Sequence, residues 1–192
     1  MELIEKTYCK FSNSLDDDSL NPNKKYHDTA YGFPIDDDNE LFARLVLEIN
    51  QAGLSWSLIL HKKDHFYQAY DNFSIAKVAA YQSEDFDRLM SDPGIIRNKL
   101  KIQAAIYNAQ QILKIQSDYG SFKQWLDLQH PKSKQEWVLV FKKNFKFTGG
   151  EIVNEFLMST GYLAGAHQVD CPIYAQVLLR KPKWCETPNI GD

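Results

Sequence analysis

The sequence predicts an all-α fold, and three observations support this prediction. Apolar residues recur at helical spacing over most of the chain. Serine, aspartate and glycine stand where such helices would begin and end. Alternation of apolar and polar residues, which is typical of strands, is sparse. With 192 residues and 44% hydrophobic composition, the chain can bury a substantial core.

The first clear helix is predicted to begin near Asp37, because Asp37 and Glu40 have the spacing of a capping box. It continues to Ala52, and Gly53 follows as a residue that readily adopts the left-handed conformation at a helix end. The polar residues 10 to 25 that precede this helix are expected to form a loop or a weakly ordered insertion.

A second helix is predicted to start at Trp56, because Ser55 can cap its N-terminus. Two short helices should follow at about residues 74–81 and 83–90, each opened by a serine. The side chains expected to point inward from the Trp56 helix are Ile59, Leu60, Phe66, Tyr67 and Tyr70.

The segment from Asp92 to Ile102 has the outline of a helix-hairpin-helix. Pro93 and Gly94 favour a tight turn, and the apolar spacing from Ile95 onwards predicts a long helix. Free N–H groups at the start of such a helix, together with its dipole, suit a DNA phosphate. A Pro-Gly turn between two packed helices is also common without any ligand.

Three further helices are predicted towards the C-terminus, near residues 122–128, 134–141 and 151–160. Gly161 ends the last of them. A short F-K-F-T-G-G segment, residues 145–150, leads into it.

Charge and composition exclude several classes of protein. A net charge of −3 argues against nonspecific coating of nucleic acid, because phosphate contacts come from Lys and Arg. No apolar run approaches the roughly 20 residues of a membrane span, and the N-terminus lacks signal-peptide features. We therefore expect an intracellular, cytoplasmic protein with no membrane partner. Basic clusters still allow a local basic face, although solvated surface is the default: Lys62-Lys63, Arg97-Lys99-Lys101 and Lys142-Lys143-Lys146.

Glu48 is the most informative single residue, because it is the only formal charge between Leu45 and Leu60. Its spacing from Leu41, Leu45 and Ala52 places it on the apolar stripe of the predicted helix. Burying a carboxylate without a partner is costly, so the position indicates a function. The alternative is a structural carboxylate that caps a neighbouring helix or accepts hydrogen bonds in the core.

Two Cys and two His residues form a candidate metal site. His167 and Cys171 have a spacing that would place both on one side of a helical turn, and Cys9 and His27 lie near the other end of the chain. Together they would form a closed tetrahedral zinc site that joins the two ends. Buried cysteines and hydrogen-bonded histidines are also ordinary core residues.

Five motifs, in this order, resemble the 3-methyladenine DNA glycosylase I family of the helix-hairpin-helix superfamily. The resemblance spans about residues 9 to 171. The motifs are Y-H-D (Tyr26 to Asp28), L-E-x-x-Q-A-G-L-S-W (Leu47 to Trp56), G-I-I-R-x-x-x-K-I (Gly94 to Ile102), F-K-F-x-G (Phe145 to Gly149) and H-x-x-x-C (His167 to Cys171).

The resemblance implies a helix-hairpin-helix DNA glycosylase fold in one compact unit of residues 1–192. Residues 36–120 would form the helix-hairpin-helix lobe, and residues 1–35 and 121–185 a lobe stapled by one structural Zn²⁺. The family's ligand positions fall on Cys9, His27, His167 and Cys171. Glu48 takes the place of the catalytic pocket carboxylate, and Tyr26 and Trp56 those of the aromatic residues that bind the base. The DNA backbone would be held by Gly94, Ile95, Ile96, Arg97, Lys99 and Lys101.

The resemblance further implies removal of alkylated adenine from double-stranded DNA, leaving an abasic site and releasing free 3-methyladenine. An alkylated base is cationic, so an aromatic face and a carboxylate would select it over neutral adenine. No lysine occupies a nucleophile position, which predicts a monofunctional glycosylase, expected to act as a monomer.

Several positions differ from the family pattern: Phe11, Ala30, Tyr31, Ile49 and Asn144. These differences leave open a second interpretation, in which a catalytically altered relative acts as a zinc-stabilised DNA-binding protein. A third is an α-helical interaction domain with no nucleic-acid role. A DNA-binding face would gather Arg97, Lys99 and Lys101 beside the Pro93-Gly94 turn.

Overall fold

The computed structural model describes residues 7–15 and 21–186, and all regular secondary structure in these ranges is helical. The prediction of an all-α fold is therefore confirmed. Two short 3-10 helices lie at Asp71–Phe73 and Lys183–Cys185. The α-helices are α1 (Tyr8–Asn13), α2 (Pro22–Thr29), α3 (Asp38–Gln51), α4 (Trp56–His61), α5 (Lys63–Ala69), α6 (Ile75–Ala79), α7 (Ser83–Ser91), α8 (Lys99–Tyr119), α9 (Phe122–Gln129), α10 (Lys134–Asn144), α11 (Gly150–Ser159) and α12 (Tyr174–Leu179).

The chain folds as two compact units, Ile35–Leu157 and the combined chain ends, residues 1–34 and 158–192. In the first unit, α3 starts where the sequence predicts, because the Asp37 side chain accepts a hydrogen bond from the Glu40 N–H. The capping box is only half formed, since the Glu40 carboxylate accepts instead from the Tyr67 hydroxyl. Gly53 has a φ of 83° and ends the helix as expected.

Two predicted helices have different boundaries. The helix that begins at Trp56 is divided into α4 and α5 at Lys62. The long helix begins at Lys99 instead of Ile95, because the Asn98 side chain accepts hydrogen bonds from the N–H groups of Leu100 and Lys101 and so caps α8. Residues 92–98 therefore form a loop between α7 and α8.

Residues 121–157, expected in the lobe of the chain ends, group instead with Ile35–Leu157. The Asp38 carboxylate on α3 accepts hydrogen bonds from the N–H groups of Phe122 and Lys123 at the start of α9. An aromatic cluster then joins α9, α10 and α11 within this unit: Phe122, Trp125, Phe141, Phe145 and Phe156.

The unit of the chain ends contains helices that the sequence patterns did not predict. Thr7 caps α1 and Asn21 caps α2, although residues 10 to 25 were expected to form a loop. Residues 16–20 of the predicted loop, which include Asp16, Asp17 and Asp18, lie outside the described residues. A small core of this unit includes Cys9, Cys171, Ile173 and Val177. No helix in the described ranges has the length and apolarity needed to span a membrane.

Candidate functional site

The unit of the chain ends brings together the four predicted metal ligands. Cys9 lies on α1, His27 on α2, and His167 and Cys171 in the segment between α11 and α12; all four are buried. One ligand atom from each lies within 4.8 Å of the other three. The Cys171 Sγ is 3.6 Å from both His27 Nε2 and His167 Nδ1, and the Cys9 Sγ is 3.7 Å from His167 Nδ1. This cluster could hold a metal ion.

Hydrogen bonds fix which nitrogen of each histidine faces the cluster. The Tyr31 carbonyl oxygen can only accept, so His167 Nε2, 2.7 Å away, carries its proton and leaves the Nδ1 lone pair available. His27 Nδ1 lies 2.6 Å from the Asp28 carboxylate, which leaves Nε2 directed at Cys171. Carboxylate and carbonyl partners of this kind orient histidine ligands in metal sites.

A turn, and not a helix, brings His167 and Cys171 to the same side of the chain. The helical turn predicted from their H-x-x-x-C spacing is therefore wrong. The Cys171 N–H donates to the Gln168 carbonyl, and no helix spans residues 167 to 171. Gly32 packs against this turn with a φ of 81°, and a Cβ there would lie 2.8 Å from the Ala166 Cβ and 3.2 Å from the His167 ring. A side chain at position 32 would therefore displace a ligand.

Glu48 is buried on α3, as its position on the apolar stripe predicts, with 4% of its surface exposed. Burial raises the pKa of its carboxyl group to about 8. The nearby positive charge of Arg44 lowers this pKa, and the negative charge of Glu155 raises it. Arg44 lies one turn earlier on α3, and Glu155 lies on α11. Glu155 is a second carboxylate near Glu48 that sequence patterns did not reveal. Ile49 is fully buried.

Trp56 opens α4, and Glu48 lies in the last turns of α3, so the two residues flank one helix corner in the same unit. Helices α3 and α4 are in contact. The corner is braced by hydrogen bonds between Gln51 and Leu54, from Leu54 N–H to the Gln51 carbonyl at 2.7 Å and from Gln51 Nε2 to the Leu54 carbonyl at 2.9 Å.

Lys101, predicted to hold the DNA backbone, is buried and directed into the protein. Its side chain is 5% exposed, and Nζ donates hydrogen bonds to the carbonyl oxygens of Asn50 and Ala52, 2.9 and 2.7 Å away. Burial lowers its pKa. Lys101 therefore binds the C-terminal carbonyls of α3, and only Arg97 and Lys99 of the predicted basic trio are exposed.

The hairpin loop has a fixed conformation that sequence patterns only partly predicted. The Asp92 carboxylate accepts a hydrogen bond from the Gly94 N–H at 2.7 Å, and Lys62 Nζ donates to the carbonyls of Pro93 and Gly94. A Cβ at Gly94 would lie 2.9 Å from the Asp92 carboxylate and 3.0 Å from the His65 ring. The supporting hydrogen bonds of Asp92, Lys62 and Asn98 in this loop were not predicted from the sequence.

The next two residues complete the predicted hairpin set. Ile95 is buried and anchors the loop, whereas Ile96 is half-buried. Within the described part of the chain, the N–H groups of Ile95, Ile96 and Arg97 donate no hydrogen bond to the protein. Backbone N–H groups without a protein acceptor beside the start of a helix are of the kind that can bind an anion.

Tyr26 lies on α2 in the unit of the chain ends and is 7% exposed. Its ring centre lies 6.4 Å from that of Tyr8 and 5.7 Å from that of Tyr31. Tyr31, one of the positions that differ from the family pattern, also contacts the His167 ring. Phe11, another of these positions, is 44% exposed.

Comparison with known proteins gives consistent results. The model of the methyladenine glycosylase family matches residues 18–140. The chain is 36% identical over 168 residues to the DNA-3-methyladenine glycosylase 1 of Escherichia coli K12, covering 78% of this chain and 89% of that protein. It is 30% identical over 166 residues to the DNA-3-methyladenine glycosylase of Haemophilus influenzae, covering 77% and 89%.

Solved structures agree with the sequence comparisons. A 3-methyladenine DNA glycosylase I in complex with 3-methyladenine superposes with a TM-score of 0.74 at 32% identity, covering 86% of this chain and 96% of that one. A structure of the Staphylococcus aureus enzyme that addresses 3-methyladenine recognition has a TM-score of 0.73 at 32% identity, covering 84% and 94%.

Proposed function

The chain belongs to the methyladenine glycosylase family, and from this membership we propose that it excises 3-methyladenine from DNA by hydrolysing the N-glycosidic bond. The observation that carries the proposal is the buried Glu48 on α3, at the family's pocket position and on a helix that contacts the one carrying Trp56. Relatives bear the name of this activity, and one related structure is a complex with 3-methyladenine.

Chemistry explains why a buried carboxylate suits this substrate. The alkylated base in DNA carries a positive charge, whereas normal adenine is neutral. An ionised Glu48 would attract the cation in a site with little water to screen the charges, and Trp56 would offer an aromatic face. Tyr26 is proposed to bind the base because it is the tyrosine of the Tyr-His-Asp motif. Selectivity then arises as a difference in binding between cationic and neutral bases.

The raised pKa of Glu48 implies that a proton is released when the base binds. With a pKa of about 8, the carboxyl group is mostly protonated near neutral pH when no ligand is bound. A cationic base favours the ionised form, so binding should release a proton from Glu48 to solvent. The proposed role of Glu48 is therefore that of a carboxyl group which becomes an anion as the cation enters.

The proposed hydrolysis requires no covalent enzyme intermediate. The bond between the base and the anomeric carbon of the sugar breaks, and the electron pair neutralises the departing base. Water adds to the anomeric carbon and loses a proton to solvent, which leaves an abasic site and free 3-methyladenine. We propose that the enzyme is monofunctional and leaves the strand intact.

DNA binding is proposed to centre on the hairpin loop. The N–H groups of Ile95, Ile96 and Arg97 and the dipole of α8 would hold a phosphate of double-stranded DNA. Arg97 and Lys99 are exposed beside them and would add charge. Gly94 permits the tight turn, and Lys62 and Asp92 support it from within the protein. The protein is proposed to act on DNA as a monomer.

We propose that the four-residue cluster binds one structural Zn²⁺. In a tetrahedral zinc site, bond lengths of about 2.3 Å to sulfur and about 2.0–2.1 Å to nitrogen separate these ligand types by about 3.6 Å. The three sulfur–nitrogen distances of 3.6 to 3.7 Å match this value. Bound zinc would cross-link α1, α2 and the turn at Cys171. The four side chains would fill every coordination position of a tetrahedral zinc ion and leave none for water or substrate. No catalytic role is therefore proposed for the metal.

The decisive experiment measures release of 3-methyladenine from methylated duplex DNA. Wild-type protein should release the base, and Glu48→Gln should release it at least about tenfold more slowly, because the neutral amide cannot attract the cation. Asp64→Asn, an isosteric change at an exposed carboxylate of α5, is the matched control. If folded wild-type protein released no base, the glycosylase proposal would be wrong. Equal release by wild type and Glu48→Gln would remove Glu48 from the mechanism.

A further inference from the structure

The F-K-F segment contains a residue in an unfavourable backbone conformation. Phe147 has a φ of 60°, in the left-handed region that bulky residues rarely adopt. Its neighbour Lys146 is held by the fully buried Asn108, which accepts from the Lys146 N–H at 2.8 Å and donates to the Lys146 carbonyl at 3.1 Å. On the other side, the buried Thr148 donates to the Phe145 carbonyl. The surrounding structure therefore imposes the conformation of Phe147.

This strained conformation does not serve to bury the ring. Phe147 is 38% exposed, whereas Phe145, two residues earlier, is 4% exposed and packs in the aromatic cluster. A glycine or asparagine would adopt the same backbone conformation at lower cost. Strain that persists at a partly exposed aromatic residue indicates a role outside the core.

The position of the ring relates it to the proposed DNA site. The Lys101 ammonium lies 5.8 Å from the ring centre, and the same ammonium binds the carbonyl oxygens of Asn50 and Ala52. Lys101 is in the first turn of α8, directly after the hairpin loop. Phe147 therefore lies beside both the hairpin helix and the corner that connects the Glu48 helix to Trp56.

The charge of the surrounding segment is also suited to DNA. The sequence K-K-N-F-K-F from Lys142 to Phe147 contains three lysines and no acidic residue. Lys142, Lys143 and Lys146 are all exposed. Basic residues interleaved with an exposed aromatic ring are typical of surfaces on which nucleic-acid bases stack.

We propose that Phe147 is a DNA-contacting residue whose ring stacks on an unpaired or unstacked base at the lesion, next to the extruded nucleotide. This inference rests on the proposed function, because extrusion of a nucleotide deprives its neighbours of a stacking partner. The aromatic ring replaces that partner. The left-handed backbone holds the ring outward, and Asn108 prevents the segment from relaxing to bury it.

The test measures affinity for a duplex that contains a tetrahydrofuran abasic-site analogue, by fluorescence anisotropy, together with the melting temperature. Phe147→Leu should weaken binding roughly tenfold, because it removes the stacking face. Phe147→Tyr should bind as wild type does. Phe147→Gly should bind weakly yet melt at or above the wild-type temperature, because glycine relieves the backbone strain. The matched control is Tyr119→Leu, since Tyr119 is 42% exposed at the far end of α8.

Phe147 could affect DNA binding by stacking on a base or by supporting the base pocket. Measuring the affinity for free 3-methyladenine distinguishes these two roles. Phe147→Leu should bind the free base as wild type does. Equal affinity of wild type, Phe147→Leu and Phe147→Gly for the duplex would overturn the inference, and so would parallel losses of duplex and free-base binding. The glycosylase proposal is tested separately by base release. A wild-type protein that released no base while Phe147→Leu still lost duplex affinity would refute that proposal and uphold the DNA contact.

Discussion

The Lys101 ammonium lies 2.7 Å from the carbonyl oxygen of Ala52, so the first turn of α8 is tied to the end of the helix that carries Glu48. A second hydrogen bond, to the Asn50 carbonyl at 2.9 Å, strengthens the connection. The last carbonyl groups of a helix have no partner within the helix. Lys101 supplies partners for two of them, and so links the proposed phosphate-binding loop to the corner between Glu48 and Trp56.

Lys101→Met should destabilise the protein, because it leaves two carbonyl groups in a largely buried site without their donor. We expect a loss of about 2 kcal/mol and a fall in melting temperature of roughly 4–8 °C. Thermal and urea unfolding measure both quantities. Lys99→Met, two residues earlier and exposed, should melt within about 1–2 °C of wild type. Similar melting of both variants would show that the Lys101 hydrogen bonds contribute little to stability.

Lys99→Ala and Arg97→Ala should each weaken binding to undamaged and abasic duplex DNA to a similar extent, because phosphate contacts do not read the base. Each should lower the slope of log affinity against log salt concentration by about one. A salt titration of binding measures this slope. Lys114→Ala, an exposed lysine farther along α8, should leave the slope unchanged. An identical slope for Lys99→Ala and Lys114→Ala would place the DNA elsewhere.

Glu48 should make the protein less stable as pH rises. Its pKa is about 8 in the folded protein and about 4.5 when unfolded, so the folded state binds more protons between these values. The contribution of Glu48 to stability should therefore decline from pH 5 to pH 8 and level off above, by roughly 3–5 kcal/mol at most. Urea unfolding of wild type and Glu48→Gln across this range gives the difference. A difference that stays constant with pH would contradict the raised pKa.

The same ionisation should govern activity. The value of kcat/KM for base release should rise with pH through about 8, because it reports ionisation of the free enzyme and the anion attracts the cationic base. The kcat/KM of Glu48→Gln should not show this rise with pH. Rates of spontaneous base loss without enzyme are subtracted at each pH. A wild-type profile that is flat between pH 6 and pH 9 would show that Glu48 does not titrate in this range.

Asp28→Ala should weaken zinc binding by roughly 10–100-fold, because the Asp28 carboxylate orients the His27 ring. Competition with a zinc chelator measures the affinity. Lys24→Gln is the matched control, since Lys24 pairs with Asp28 but does not contact the ligands. Elemental analysis of wild-type protein should give about one zinc per chain. Unchanged affinity in Asp28→Ala would mean that other contacts orient His27.

Local signals were sufficient for some of these features. The caps at Asp37 and Ser55, the glycine after α3 and the inward position of Glu48 depend on residues within a few positions of one another. The start of α8 was predicted at Ile95 because apolar spacing extends through the loop, whereas the Asn98 cap delays the helix to Lys99. Helix propensity and apolar spacing do not show whether a helix starts at the first apolar residue or at a later capping residue.

The sequence by itself determined the all-α class, the buried carboxylate at Glu48 and the candidate metal ligands, because helical periodicity and residue type are local properties. Only the tertiary structure decided that Lys101 faces inward, that residues 121–157 pack within the unit Ile35–Leu157 and that Phe147 holds its ring outward. These outcomes depend on partners far away in the chain, Asn50 and Ala52 for Lys101, Asp38 for α9 and Asn108 for the segment before Phe147. The energy of a buried hydrogen bond exists only when folding brings both groups together and removes water from them.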